Sequence, residues 1–421
     1  MRVAADNPQT VNRKTVASRT ARMSFVSTLA FREARRCVVE RVLAARRVPA
    51  VEVAPLDDAL GRVLAAPVLA DRDLPPVDRS IRDGFAVRAA DLPATFDVIG
   101  EVRAGESYTG RVGAGQAVEI MTGAPMPDGA DTVVMVEYTV REGARVRIDR
   151  ASPLGEYVNP RAAEARQGST LIDAGTRLSY AEIAMTANTG HATLEVFAKP
   201  RVAIIATGDE IVPVEATPLP HQVRNSNAYS LAAQVRRAGG IAEVLPVARD
   251  THAETRAALE RGLASDLLLI SGGVSAGKYD VVEAVLASLG AEFYFDRVLI
   301  QPGQPLVFGR AQGTFFFGLP GNPSSTMVTF ELFARAAVEL LGGQREAPLA
   351  FAQAPLAADF RHKPGLTRFL PAHLGEDGHL TPLGWKGSSD IPAVVRANAF
   401  LVADAARELW HEGEYIQVLP K

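Results

Sequence analysis

From Arg201 to Gly343 short apolar runs alternate with helical patterns, and no other feature of the chain restricts its fold so tightly. Val202–Ala206 is a continuous apolar run. Ser230–Gly239 carries a helical pattern with a glycine stop. Ala242–Val247 reads as a strand, His252–Gly262 as a helix, Leu267–Ile270 as a strand and Val281–Leu289 as a helix. Val298–Ile300 and Thr314–Phe317 read as further strands, and Ser324–Leu341 as a long helix closed by Gly342-Gly343. Strands that are apolar on both faces and separated by helices are covered on both sides, which is the pattern of a parallel α/β sheet.

Ligands of an open parallel sheet bind outside the carboxyl ends of its strands. Three strands here end in small, glycine-bearing loops: Thr207-Gly208-Asp209-Glu210, Ser271-Gly272-Gly273-Val274-Ser275 and Gly318-Leu319-Pro320-Gly321-Asn322-Pro323. Glycine lets the backbone approach an anion with its N–H groups free, and a following helix N-terminus adds partial positive charge. One such loop is equally well a tight strand–helix turn; three at one sheet edge predict a site for a phosphate-bearing small molecule. Lys278 is not placed as a Walker lysine must be. Asp209, Glu210, Asp250 and Asp280 gather at the same edge. Carboxylates around phosphate point to a bridging divalent cation, most simply Mg²⁺, held by Glu210, Asp250 and Asp280. Helix capping by Glu210 and Asp280 is the alternative.

A chain of 421 residues exceeds the roughly 250–300 at which single cores stop growing, so several modules are expected. Phe31–Ala45 and, more briefly, Asp57–Leu64 have helical spacing. Pro75-Pro76 forces an extended segment. Residues 95–150 carry short valine-rich runs divided by glycines and read as a small β barrel or sheet. Leu178–Asn188 reads as a helix, Ala192–Val196 as a strand, Ala352–Ala358 as an alanine-rich connector, and the last ~75 residues as a small β domain. Net charge is −3, and no bases interleave with aromatics, so neither nucleic acid nor an anionic membrane is an expected partner. No apolar run approaches the ~20 residues of a membrane span. Cys37 is the only cysteine, which excludes an internal disulfide and suits a reducing cytoplasm. Residues 1–22 are Arg-rich and lack the apolar core of a secretory signal. They read as a disordered extension, with Met23 as an alternative start, or as a transit peptide.

Two first-half motifs, Asp78-Arg79-Ser80-Ile81-Arg82-Asp83-Gly84-Phe85-Ala86-Val87 and Ile120-Met121-Thr122-Gly123-Ala124-Pro125-Met126-Pro127, read by physics alone as turns. In order and spacing, however, the motifs together resemble the molybdopterin molybdenumtransferase family, of the gephyrin E-domain type. The matching stretches are Ser80 with Asp83–Val87, Met121–Pro125 with Gly129-Ala130-Asp131, Thr207–Glu210, Ser226-Asn227, Ser271–Ser275, Pro302-Gly303, Gly318–Pro323 with Thr329-Phe330-Glu331, Trp385–Asp390 and Arg396-Ala397-Asn398. Coverage runs from about Phe31 to the C-terminus. The resemblance implies an elongated multidomain α/β plus β protein. Its linker domain spans 24–76 and 160–198, after an extension over 1–23. An inserted β domain spans 77–159, the parallel α/β molybdopterin-binding domain 199–345, and a C-terminal β domain 346–421.

The resemblance also implies a cytoplasmic homodimer whose site is shared between subunits, with the molybdopterin adenylyltransferase as a candidate partner. The reaction implied is insertion of molybdate into adenylylated molybdopterin with release of AMP and help from Mg²⁺. Asp83 and Thr122 then approach across the interface, Glu210, Asp250 and Asp280 hold metal or water, and Arg297 offers charge to the oxyanions. Ser271, Gly272, Gly273, Ser275, Gln301, Pro320, Gly321, Asn322, Pro323, Ser388, Ser389 and Arg396 are the expected substrate contacts.

The chain departs from the family pattern in charge. Gln301 and Gln304 flank Pro302-Gly303 where basic residues are common. Glu164, Ala165 and Arg166 replace a glycine and two carboxylates, Asn225 replaces an aspartate, and Arg79 and Arg82 replace uncharged residues beside Asp83. These changes leave open a divergent paralogue that handles the cofactor without efficient metal insertion; a related adenylyltransferase is a further alternative because the α/β domain is shared, and the β domain and the Trp385–Asp390 segment argue against it. No linker supports a scaffolding role.

Overall fold

The computed structural model describes residues 27–273 and 281–421. The reading of residues 1–22, and the expectations for Ser275 and Asp280, lie outside the described residues.

The first helix, α1 (Phe31–Ala45), occupies the predicted span and buries Phe31, Ala34, Val38 and Val42 in one stripe. That stripe packs into the same cluster as Val202, Leu269 and Phe317, far along the chain. The helix expected over Asp57–Leu64 does not form. Only a single tight turn, Leu56–Asp58, is present. Gly61 then takes φ +74°, and Leu64 bridges to Val196. A left-handed residue in the middle of so short a segment ends any helical run. Val51–Pro55 pairs antiparallel with Thr193–Phe197, and the helix Tyr180–Asn188 precedes that return strand.

The inserted β region is a six-stranded sheet in the order Thr132–Met135, Gly84–Val87, Gln116–Ile120, Ala94–Val102, Arg145–Ile148, Thr139–Glu142. Strand alternation sends Phe85 and Phe96 to one apolar cluster and Ala86, Val118 and Ile120 to another.

The α/β unit contains, in chain order, β1 (Arg201–Ala206), α2 (Ser226–Arg237), β2 (Ile241–Val244), α3 (His252–Gly262), β3 (Leu267–Ser271), α4 (Val281–Ser288), β4 (Glu292–Phe295), β5 (Val307–Ala311) and β6 (Thr314–Leu319). The sheet order is β2-β1-β3-β6-β5-β4. The first four strands are parallel, and β5 and β4 form an antiparallel edge. The edge corrects one strand assignment. Val298–Ile300 is not in this sheet: Arg297–Val298 pairs with Thr28–Leu29, and Ile300–Gln301 pairs with Thr367–Arg368. The edge is instead completed by the hairpin β5–β6, turned by Gln312 and Gly313 at φ 51° and 92°. Two successive left-handed residues make the tight turn that matches strand twist, and glutamine is an uncommon first member of it.

The long helix after β6 has three parts: α5 (Pro323–Thr329), a wide π turn over Phe330–Ala334, and α6 (Arg335–Leu341). Arg35 of α1 donates to the carbonyls of Leu332, inside the π turn, and of Ala347. Burial lowers its pKa to about 10. A π turn leaves carbonyl oxygens out of ordinary register, and a guanidinium is well suited to collect them.

The C-terminal sheet runs Ile300–Gln301, Thr367–Leu374, Ala399–Ala403, Tyr415–Pro420, Ala352–Pro355. The supposed connector Ala352–Ala358 therefore supplies an edge strand, Ala352–Pro355. Phe369, Val394, Phe400, Val402 and Leu419 join the core cluster of the α/β unit. Phe31 meets Phe333, Phe351 and Phe369 edge-on, tying α1, the π turn and the C-terminal sheet together. Among the described residues no helix is long and apolar enough to cross a membrane.

Candidate functional site

The carboxyl ends of β1, β3 and β6 open onto one cleft of about 910 Å³. Each contributes the loop read from the sequence. Thr207, Gly208 and Glu210 follow β1, Ser271 ends β3 with Gly272 and Gly273 after it, and Pro320, Gly321, Asn322 and Pro323 follow β6. Glycine is required at the β3 loop. Gly272 has φ +91° and a Cβ there would sit 2.7 Å from the Thr207 carbonyl oxygen. Gly273 has φ +63° and a Cβ would reach Thr207 Oγ1 at 2.6 Å. The loop therefore lies against the β1 end with no room for a side chain, and its backbone faces the cleft.

A side chain not singled out as a contact locks two of these loops. Asn227, in the first turn of α2, donates through Nδ2 to Ser271 Oγ at 2.8 Å and to the Gly321 carbonyl at 2.7 Å. Its only trace in the sequence was the Ser226-Asn227 pair. Asn225 lines the same cleft and caps α2, accepting from the Ala228 N–H at 3.2 Å. Gln222 and Arg224, on a small two-stranded flap, add polar and cationic lining.

Carboxylates stand on the other side. Glu210 and Asp250 both line the cleft. Partial burial raises the Asp250 pKa, and the negative charges of Asp209 and Glu210 push it further the same way. Hard oxygen donors held close against their own repulsion suit a small divalent cation. Among the described residues no group of three ligating side chains is assembled. The third expected ligand, Asp280, lies outside them.

The C-terminal region reaches the same edge. Ser389 lines the cleft. Ser388 lies just behind it, its Oγ accepting from Asn322 Nδ2 at 2.8 Å and its carbonyl from the Ser324 N–H at 3.0 Å. Asp390 caps the helix Ile391–Arg396, and the N–H groups of Lys386 and Ala393 hold its pKa below the ordinary value. Arg396 is at the far, exposed end of that helix and does not line the cleft.

Two further expected contacts, Arg297 and Gln301, fall elsewhere. Arg297 is exposed on the segment paired with Thr28–Leu29 and is not among the cleft residues. Gln301 is paired with Arg368 of the C-terminal sheet, also away from the lining. The cause is the split of the Val298–Ile300 segment between two sheets. Asp83 and Thr122 are on the inserted β region. Thr122 donates to Asp83 Oδ1 from its N–H at 2.6 Å and its hydroxyl at 2.8 Å, and these bonds lower the Asp83 pKa. Neither lines the strand-end cleft of its own chain. Thr122 lines a second cavity, of about 350 Å³.

Comparison with known proteins bears on this geometry. Three family models match in series: "MoeA N-terminal region (domain I and II)" over residues 29–190, "Probable molybdopterin binding domain" over 203–340, and "MoeA C-terminal region (domain IV)" over 353–421. The chain is 35% identical over 396 residues to the molybdopterin molybdenumtransferase of Bacillus subtilis (strain 168), covering 90% of itself and 92% of that protein. It is 39% identical over 303 residues to the protein of the same name from Nostoc sp. (strain PCC 7120), covering 69% and 70%. A crystal structure of the molybdopterin biosynthesis MoeA protein of Pyrococcus horikoshii OT3 superposes with a TM-score of 0.76 at 25% identity, over 94% of this chain and all (100%) of that one.

Proposed function

The chain belongs to the molybdopterin molybdenumtransferase family, and from that premise we propose that it inserts molybdate into adenylylated molybdopterin with release of AMP, the step that completes molybdenum cofactor biosynthesis. The observation that carries the reading is the convergence of three glycine-bearing strand ends, two acidic side chains and a C-terminal serine on one cleft. The backbone N–H groups of Gly273, Gly321 and Asn322 would receive phosphate oxygens, the Gly272 N–H being turned to the Leu319 carbonyl, and the N-terminus of α5 adds its partial charge. Asn227 holds the two loops at a fixed separation, so little reorganisation is needed when substrate arrives.

Cleaving the phosphoanhydride needs charge neutralisation and a positioned water rather than a covalent nucleophile. Glu210 and Asp250 would hold Mg²⁺, which supplies positive charge to the phosphate oxygens when bound. Asp250, whose raised pKa makes its carboxylate a stronger base than a free aspartate, is suited to orient the attacking water and draw on its proton. The paired Asp83 and Thr122 face outward and complete the site of a second subunit in a cytoplasmic homodimer. Ser389, with Ser388 behind it, contacts the pterin end.

The test is incubation of the purified protein with adenylylated molybdopterin, Mg²⁺ and molybdate, following AMP by chromatography and metal by mass spectrometry. AMP release with metal incorporation is expected. Tight binding with neither would overturn the reading and leave a protein that carries the cofactor without completing it.

A further inference from the structure

The second cavity, of about 350 Å³, lies between the turn at Leu74-Pro75-Pro76 and the inserted β sheet, and its lining includes Arg72, Arg79, Ser80, Thr122, Asn159 and Glu164. Arg79 is half-buried, and among the described residues its side chain makes no hydrogen bond and no ion pair. Removing a guanidinium from bulk water without a counter-charge is costly, and a bound anion is what repays it. Arg72 pairs only loosely, its Nε 3.8 Å from Asp71.

The other acids of this turn are engaged away from the two arginines. Asp73 accepts from the Gln167 N–H and from Arg161, and these bonds lower its pKa. Asp78 accepts from the Arg161 N–H at 2.7 Å. Among the described residues Glu164 is the one acid in the lining, and its Oε1 accepts from Asn159 Nδ2 at 3.1 Å. Among the described residues the lining thus holds two guanidiniums, Arg72 loosely paired with Asp71, and one carboxylate, while Thr122 holds the Asp83 carboxylate; the space has room for a tetrahedral oxyanion and several waters of ~30 Å³ each. The same neighbourhood carries Arg166, brought beside the turn by the bond from the Leu74 N–H to the Ala165 carbonyl at 2.8 Å. Gln301 and Gln304, by contrast, bring no charge to their own loop.

We infer that this cavity docks the oxyanion substrate, with Arg79 and Arg72 as its cationic contacts. The identity of that anion as molybdate rests on the function proposed above; the half-buried Arg79 guanidinium that calls for an anionic partner does not. The anion enters and leaves with its own charge, and no bond changes while it sits there.

Calorimetric titration of the full-length protein with molybdate, and separately with sulfate, tests the inference. Arg79→Ala should weaken molybdate binding about tenfold or more, the loss expected for one charge-assisted contact. Arg79→Lys should recover part of the affinity, and Arg82→Ala, whose guanidinium reaches only the Ile81 carbonyl, should bind as the parent does. Melting curves confirm that each variant is folded. Parent-like affinity in a folded Arg79→Ala protein overturns the inference, as does a parent that binds no oxyanion. A loss in Gln301→Ala with none in Arg79→Ala moves the anion to the C-terminal side and overturns it equally. AMP release from adenylylated molybdopterin is followed in parallel. If the parent releases none while Arg79→Ala still loses affinity, the proposed reaction fails and the oxyanion site stands.

Discussion

Asp250 carries a penalty that its surroundings impose. Its carboxyl titrates above its ordinary value because of burial and the charges of Asp209 and Glu210. A raised acid is bound by protons more tightly in the folded state than in the unfolded one. Its contribution to stability is therefore fully present below the unfolded pKa and lost as pH rises through the folded pKa. Above the folded pKa the charged, repelled form remains. Asp250→Asn should melt above the parent at neutral pH in chelator, and the difference should shrink in mildly acidic buffer. Mg²⁺ should raise the melting temperature of the parent and do so much less for Asp250→Asn. AMP release should fall by about 10²–10³-fold. Equal melting of the two proteins at every pH would show that the carboxylate is unstrained, and undiminished turnover would remove it from the site.

At the scale of elements, the cleft depends on loops whose spacing is set by side chains from other elements. Asn227→Ala would cut both bonds between α2 and the β3 and β6 loops, at about 1–3 kcal/mol of stability. If the loops hold substrate by position, as proposed, AMP release should suffer more than folding. Urea unfolding measured beside turnover separates the two effects. A variant with parent-like turnover would show that the loops hold their spacing unaided. The loops themselves were legible in the sequence, because a glycine-rich stretch after a buried apolar run has few structural interpretations. The hairpin β5–β6 was less so, since Gln312-Gly313 is a weak turn signal and the apolar run of β5 is interrupted by Gly309 and Arg310. The placement of Arg297 and Gln301 was not legible at all. Their segment is divided between α1's neighbour Thr28–Leu29 and the C-terminal sheet, and pairings across such separations leave no local periodicity. For the same reason the bond between Asn322 and Ser388 left no trace in the pattern.

At the scale of the whole molecule, the acids of the strand-end cleft and the Asp83–Thr122 pair occupy different parts of one chain. If two subunits complete each other's sites, inactive variants should complement. Mixing Asp83→Asn with Glu210→Gln, after unfolding and refolding together, should give heterodimers with one intact site. Up to a quarter of the parent's AMP release is the expected yield when half the dimers are mixed and each has one of two sites working. No activity above that of either variant alone would place both residues in a single-chain site or outside the chemistry.

The first helix has a consequence that concerns the order in which the chain is made. Arg35 finds its acceptor in Leu332, 297 positions later. At ~5–20 residues per second, synthesis takes roughly 15–60 s to deliver that partner. Throughout that interval the apolar stripe Phe31, Ala34, Val38 and Val42 has been made and has nothing to cover it. The α/β core can close only after most of the protein has left the ribosome. During translation, then, this helix is the part of the chain most in need of a chaperone, and a transcript truncated before residue 330 would release a product with that stripe exposed.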